Sequence, residues 1–143
     1  MTEPPARRVR LVVVSTRYSP EELEERLGMR PDVVVHAIGP EVVSRRLHRD
    51  ENTWELQEEG TSDADISELI ESLHARALPI TRTLMALKDE GCTIILRLVL
   101  RFSPADHNGA GFAIDREIIK WLNDAGIEFV DVDQYIFPGI DSS

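Results

Sequence analysis

The side chains of this 143-residue chain that could hold a metal, move a proton or attack a substrate are four histidines, one cysteine and a few paired acids. His36 falls on an expected strand, His48 in an arginine-rich loop, His74 on an expected helix and His107 in a late loop. No two are spaced i, i+4, and neither H-E-x-x-H nor C-x-x-C occurs, so they read as ordinary surface or partly buried histidines. Cys92 opens an apolar strand on the side assigned to the core, where a thiol behaves as a small, inert hydrophobe. Asp63 and Asp65 stand at the start of a helix, where capping and the helix dipole account for acids without a metal. Asn108-Gly109-Ala110-Gly111 lacks the lysine and spacing of a phosphate-binding loop and reads as a turn. No catalytic residue, metal site or cofactor is expected. Trp54 and Trp121 lie on apolar faces and read as core rather than as stacking platforms for bases.

Charges on two strands are more informative. Along residues 92–102, Cys92, Ile94, Leu96, Leu98, Leu100 and Phe102 point one way, while Arg97 and Arg101 point the other with Thr93, Ile95 and Val99. In the last strand Asp131, Asp133 and Tyr135 alternate with Val130, Val132 and Ile136. If the two strands are neighbours, arginines and aspartates share a face away from the helices and pair across the sheet. Ile95, Val99, Phe129, Val12 and Val14 then lie among them. Such a face is too apolar for free exposure and too charged for a dry core, a mixture that suits an interface. Its plainer alternative is a face that is solvated or covered by a loop of the same chain. A second positive patch, Arg45 and Arg46 with His48 and Arg49, lies in a loop and could meet an acidic surface.

The elements that must position these residues follow from pattern. A polar tail occupies residues 1–8 and a strand residues 9–16. Ser19, Pro20 and Glu22 open a helix that Gly28 closes. A strand is expected over 32–38, a long loop over 39–52, a half-buried strand over 53–57 and a turn over 58–62. Ile66, Leu69, Ile70 and Leu73 have helical spacing, Pro79 breaks that helix, and a second segment runs through Leu84 and Leu87 to Gly91. After the strand at 92–102 come a loop over 103–111, a short strand at 112–114, a helix capped by Asp115, a strand over 127–137 and a tail over 138–143. This order gives one α+β domain over residues 9–137. It has a mainly antiparallel sheet with helices on one face, a ferredoxin-like split βαβ core, and an additional C-terminal helix and strand.

Composition bounds the rest. A domain of this length buries roughly two thirds of its unfolded surface, and 42% hydrophobic residues can fill that core. The lone cysteine fits a reducing compartment, and no apolar run approaches the roughly 20 residues that span a bilayer, so a cytoplasmic protein without a membrane partner is expected. The net charge is −10, from 26 acidic and 16 basic residues. That charge makes nucleic acid the least compatible partner and suits a basic protein.

Ser19-Pro20-Glu21-Glu22-Leu23 followed by Leu27-Gly28-Met29-Arg30-Pro31 resembles the start of a bacterial family of small proteins known as domain of unknown function 4279. So do a lone tryptophan on a strand (Trp54), a helix pair broken near Pro79, the apolar strand 94–102, and Gly126 followed by Asp133-Gln134-Tyr135. The resemblance covers about residues 9–137. Such proteins often carry a Gly-Asp pair where this chain has Gly39-Pro40, so no role of that aspartate is carried over. Some relatives resemble immunity proteins encoded near toxins, which implies a binding role. The expected function is therefore a non-enzymatic binding module. It would act through contact with a protein partner or by self-association, with Arg97, Arg101, Asp131, Asp133, Tyr135, Arg45 and Arg46 as candidate binding residues. The alternative is a small-ligand binder or enzyme built on the 39–52 and 103–111 loops, which a concave site holding Arg45 or Arg46 with Asp106 and His107 would favour.

Overall fold

The computed structural model describes residues 7–37, 51–61, 64–102 and 112–136. Strand β1 (Arg7–Ser15) buries Val9, Leu11 and Val13 completely. It begins at Arg7, inside the segment expected to be a tail, because Arg7 and Arg8 find partners on both sides: Gly60 and Glu59 on one, Leu100 and Val99 on the other. Helix α1 (Pro20–Leu27) has the expected capping box. The Glu22 N–H donates to Ser19 Oγ and the Ser19 N–H to the Glu22 carboxylate, each at 3.1 Å. Gly28 closes the helix at φ 65°, a left-handed conformation that suits glycine.

Strand β2 (Val33–Val35) is shorter than expected, and β3 (Asn52–Gly60) is longer. Residues 58–60, expected as a turn, remain in the strand because β1 pairs with them. Helix α2 (Ile66–Ala77) starts at Asp65, whose carboxylate accepts from the Ser67 N–H at 2.9 Å. Pro79 falls in a 3-10 turn (Leu78–Ile80) that leads into α3 (Thr81–Asp89). Strand β4 (Thr93–Phe102), helix α4 (Arg116–Asp124, capped by Asp115) and β5 (Phe129–Ile136) complete the chain. Residues 112–114 do not form the expected strand. Phe112 and Ile114 pack against the core instead.

The sheet order is β2-β3-β1-β4-β5. β1 is antiparallel to both neighbours, β2 is antiparallel to β3, and β5 is parallel to β4. On one face the register aligns Trp54, Val13 and Ile94, then Leu56, Leu11 and Leu96. All six are fully buried. Leu23 and Leu27 of α1, Ile70 and Leu73 of α2, Leu84 and Leu87 of α3, and Ile118 and Trp121 of α4 join them in a single cluster. The fold is thus α+β, with helices on one face of a mostly antiparallel sheet, as the strand and helix patterns imply. Among the described residues no helix is long and apolar enough to cross a membrane.

Candidate functional site

The opposite face of the sheet carries the charged strand residues. Because side chains alternate along each strand, the register fixes its rows. One row runs Val33, Glu55, Val12, Ile95, Phe129, and the next Gln57, Arg10, Arg97, Asp131. A third runs Glu59, Arg8, Val99, Asp133, and Arg101 stands opposite Tyr135 beyond it. Arginines therefore occupy the two central strands and carboxylates the flanking ones. The four arginines (Arg8, Arg10, Arg97 and Arg101) match four acids (Glu55, Glu59, Asp131 and Asp133).

These charges meet within the face. Arg97 lies 3.7 Å from Asp131 and 3.9 Å from Asp133. Arg8 lies 3.6 Å from Glu59. Arg10 donates to Gln57 Oε1 at 2.9 Å and sits 3.7 Å from Glu55. Glu55 is only 6% exposed and also accepts from the Thr53 hydroxyl at 3.0 Å. Val12 is 3% exposed, so the middle of this face is nearly dry. The Nε atoms of Arg8 and Arg97 are shut off from solvent without a hydrogen-bond partner, and their carboxylates stand just beyond bonding distance. Among the described residues no helix packs on this side, since the buried helical side chains cluster with the opposite parity.

Of the candidate binding residues, Arg97, Arg101, Asp131 and Asp133 thus share one face, and Tyr135 falls on it by register. Arg45 and Arg46, together with the 103–111 loop, Asp106 and His107, lie outside the described residues. Cys92 is 3% exposed, and burial pushes its thiol up, away from the thiolate. Trp54 is fully buried and donates its indole N–H to the Met29 carbonyl at 3.2 Å. Trp121 is buried against His74, with ring centroids 5.0 Å apart. Among the described residues no three histidine, cysteine or acidic side chains converge as metal ligands. Hollows of about 330 and 260 Å³ flank α1, with Glu21, Glu24 and Arg30 lining both.

One cluster escaped the sequence. Arg26 clasps Glu90 with bonds of 2.9 and 2.5 Å, and the Tyr18 hydroxyl donates to the same carboxylate at 2.5 Å. The Arg17 guanidinium stands 5.1 Å from the Tyr18 ring centre. The Arg26 bonds, then the Tyr18 bond, pull the Glu90 carboxyl down to about 2, while its acceptor raises Tyr18. Arg26 and Tyr18 announce no link to a residue 64 or 72 positions away; only packing α1 against α3 joins them. This clasp ties Tyr18, just ahead of α1, and Arg26, in its last turn, to the end of α3 and lies apart from the charged sheet face.

No curated protein and no solved structure matches the chain. The family model described as Domain of unknown function (DUF4279) matches residues 5–137, nearly the whole chain and all five strands, and the protein belongs to that family.

Proposed function

We propose that this chain is a non-enzymatic binding module whose outer sheet face engages another protein. The observation that carries this is the composition of the face: Val12, Val14, Ile95, Val99 and Phe129 interleaved with arginines and acids that already neutralise one another in the plane of the sheet. Covering an isolated charge is costly, but covering a pair that has already met costs far less. The face can therefore be buried by a partner without stranding ions, while Val14, Ile95, Val99 and Phe129 gain from leaving water. The partner is a toxin-like protein or a second copy, in keeping with the immunity-type relatives that the sequence resembles. Burial of the lone cysteine suits work in a reducing compartment.

The test places a photoreactive side chain at Val99 and compares the unaltered protein with Ile95→Lys, which puts a charge in the apolar row. A specific cross-linked partner, identified by mass and lost in Ile95→Lys while the circular dichroism spectrum and unfolding midpoint hold, supports the reading. No cross-link, together with an unchanged monomer mass by light scattering, overturns it.

A further inference from the structure

We propose that the free edge of β5 is a strand-pairing site for an extended segment of a basic partner, with arginine or lysine at every second position and apolar residues between. This edge site rests on the reading of the outer face as an interface and specifies what that interface takes.

In a strand, the N–H and C=O of one residue point to the same side and alternate along the chain. The Ile94 carbonyl faces β5, accepting from the Glu128 N–H at 3.0 Å, so the even-numbered residues of β4 turn their backbone groups towards β5. In a parallel pair each of these bonds the two neighbours of its aligned partner, which for Leu96, aligned with Val130, are Phe129 and Asp131. Val130 and Val132 therefore turn theirs outwards, and among the described residues no strand lies beyond them. Soluble proteins usually blunt such an edge with a short strand, a proline, a lysine or a bulge. The opposite edge is blunted in that way, β2 being three residues long. β5 has eight residues and contains neither proline nor lysine. It is also apolar on both sides: Phe129 is 53% exposed on the outer face, and Val130 and Val132 are 38% and 41% exposed on the helix side. α4, which leads into β5, packs against α3 and α2 and leaves these valines uncovered.

Charge selects the occupant. A second copy paired antiparallel about a two-fold axis would set Asp131 opposite Asp133, or Asp133 opposite itself, and like charges placed directly opposite are destabilising. A strand with basic residues on the outer side meets the same aspartates favourably, since Arg97 reaches them only at 3.7 and 3.9 Å. Its intervening apolar residues fall on the helix side and cover Val130 and Val132. Backbone bonds then supply the adhesion, and the alternating pattern supplies the selection.

The experiment measures fluorescence anisotropy of a labelled short peptide alternating arginine with valine. Its control has the same composition, with the arginines in one block and the valines in another. The alternating peptide is expected to bind about tenfold or more tightly than the block peptide. Val132→Pro removes an outward N–H without touching the β4 ladder, and the pair Asp131→Asn with Asp133→Asn removes charge while keeping the backbone; each weakens binding by about tenfold or more. Equal affinity for the two peptides, or unchanged binding by Val132→Pro, overturns the edge site. Should Val132→Pro fail to fold, a peptide N-methylated at every second residue replaces it, and undiminished binding of that peptide to the unaltered protein is equally decisive. A partner cross-linked at Val99 that still binds Val132→Pro leaves the outer face as an interface and removes only the strand pairing. Absence of both signals removes both.

Discussion

The pair Arg10–Glu55 shows what a central position does to a charge. Glu55 is 6% exposed, beside the nearly dry Val12, and its carboxylate leans on Arg10 at 3.7 Å and Thr53 at 3.0 Å. Replacing Arg10 with methionine leaves that carboxylate buried beside an apolar chain. The expected cost is about 3 kcal/mol, the lower end for breaking a buried pair, since the Arg10 side chain retains some solvent. Adding Glu55→Leu should restore much of it, because neither charge is then stranded; urea unfolding of the two variants and their combination measures this directly. The Glu90 clasp makes a separate prediction in pH. Its carboxyl falls from an ordinary 4.5 to about 2 in the folded chain, so the unfolded chain binds the proton more readily. The resulting stability is present above about pH 4.5 and is lost as pH falls towards 2. Glu90→Gln should be less stable near neutrality and should flatten that part of the acid-unfolding profile; a profile unchanged by the substitution would show that the clasp adds nothing.

Elements that carry strong alternation were legible, and those that depend on a partner strand were not. Six apolar residues at every second position from Cys92 to Phe102 leave β4 only one way to face the core, which is why Arg97 and Arg101 could be assigned to the outer side before any neighbour was known. The same logic placed Asp131 and Asp133 beside them. The end of β3 shows the limit. Glu58, Glu59 and Gly60 have the composition of a turn, yet β1 holds them in the sheet, Glu59 against Arg8, and Arg76 from α2 donates to the Gln57 carbonyl at 3.1 Å. Conversely, Phe112 and Ile114 alternate like a strand but pair with none among the described residues, so only their packing against the core survives. Ser19, Gly28 and Asp115 gave helix ends correctly because a cap is a local bond that needs no distant partner. Pro79 likewise marked the break between α2 and α3, since its missing N–H acts wherever the helix packs. The outer edge of β5 was hidden until strand order showed that no described strand lies beyond it.

At the scale of the whole molecule, charge decides between the two occupants that the outer face admits. The chain carries −10 overall, yet the four arginines and four acids of the sheet face cancel, so the excess lies elsewhere, as in the Glu21, Glu22, Glu24 and Glu25 run of α1. Two copies approaching one another therefore repel at a distance even though the faces that would touch are neutral. A basic partner is attracted at the same distance and meets Asp131 and Asp133 on arrival. Salt acts on these cases with opposite sign. Raising it from about 0.1 to about 1 M shortens the screening length from about 10 to about 3 Å. For a basic partner the association rate should fall by about tenfold or more, while the dissociation rate, governed by backbone bonds and valine contacts, changes little; stopped-flow mixing with the arginine–valine peptide separates the two. For self-association, salt would remove the repulsion, and the mass by light scattering would climb. A monomer mass that holds across this range, with a binding rate that drops, identifies the partner as basic. A mass that doubles as salt rises assigns the face to a second copy.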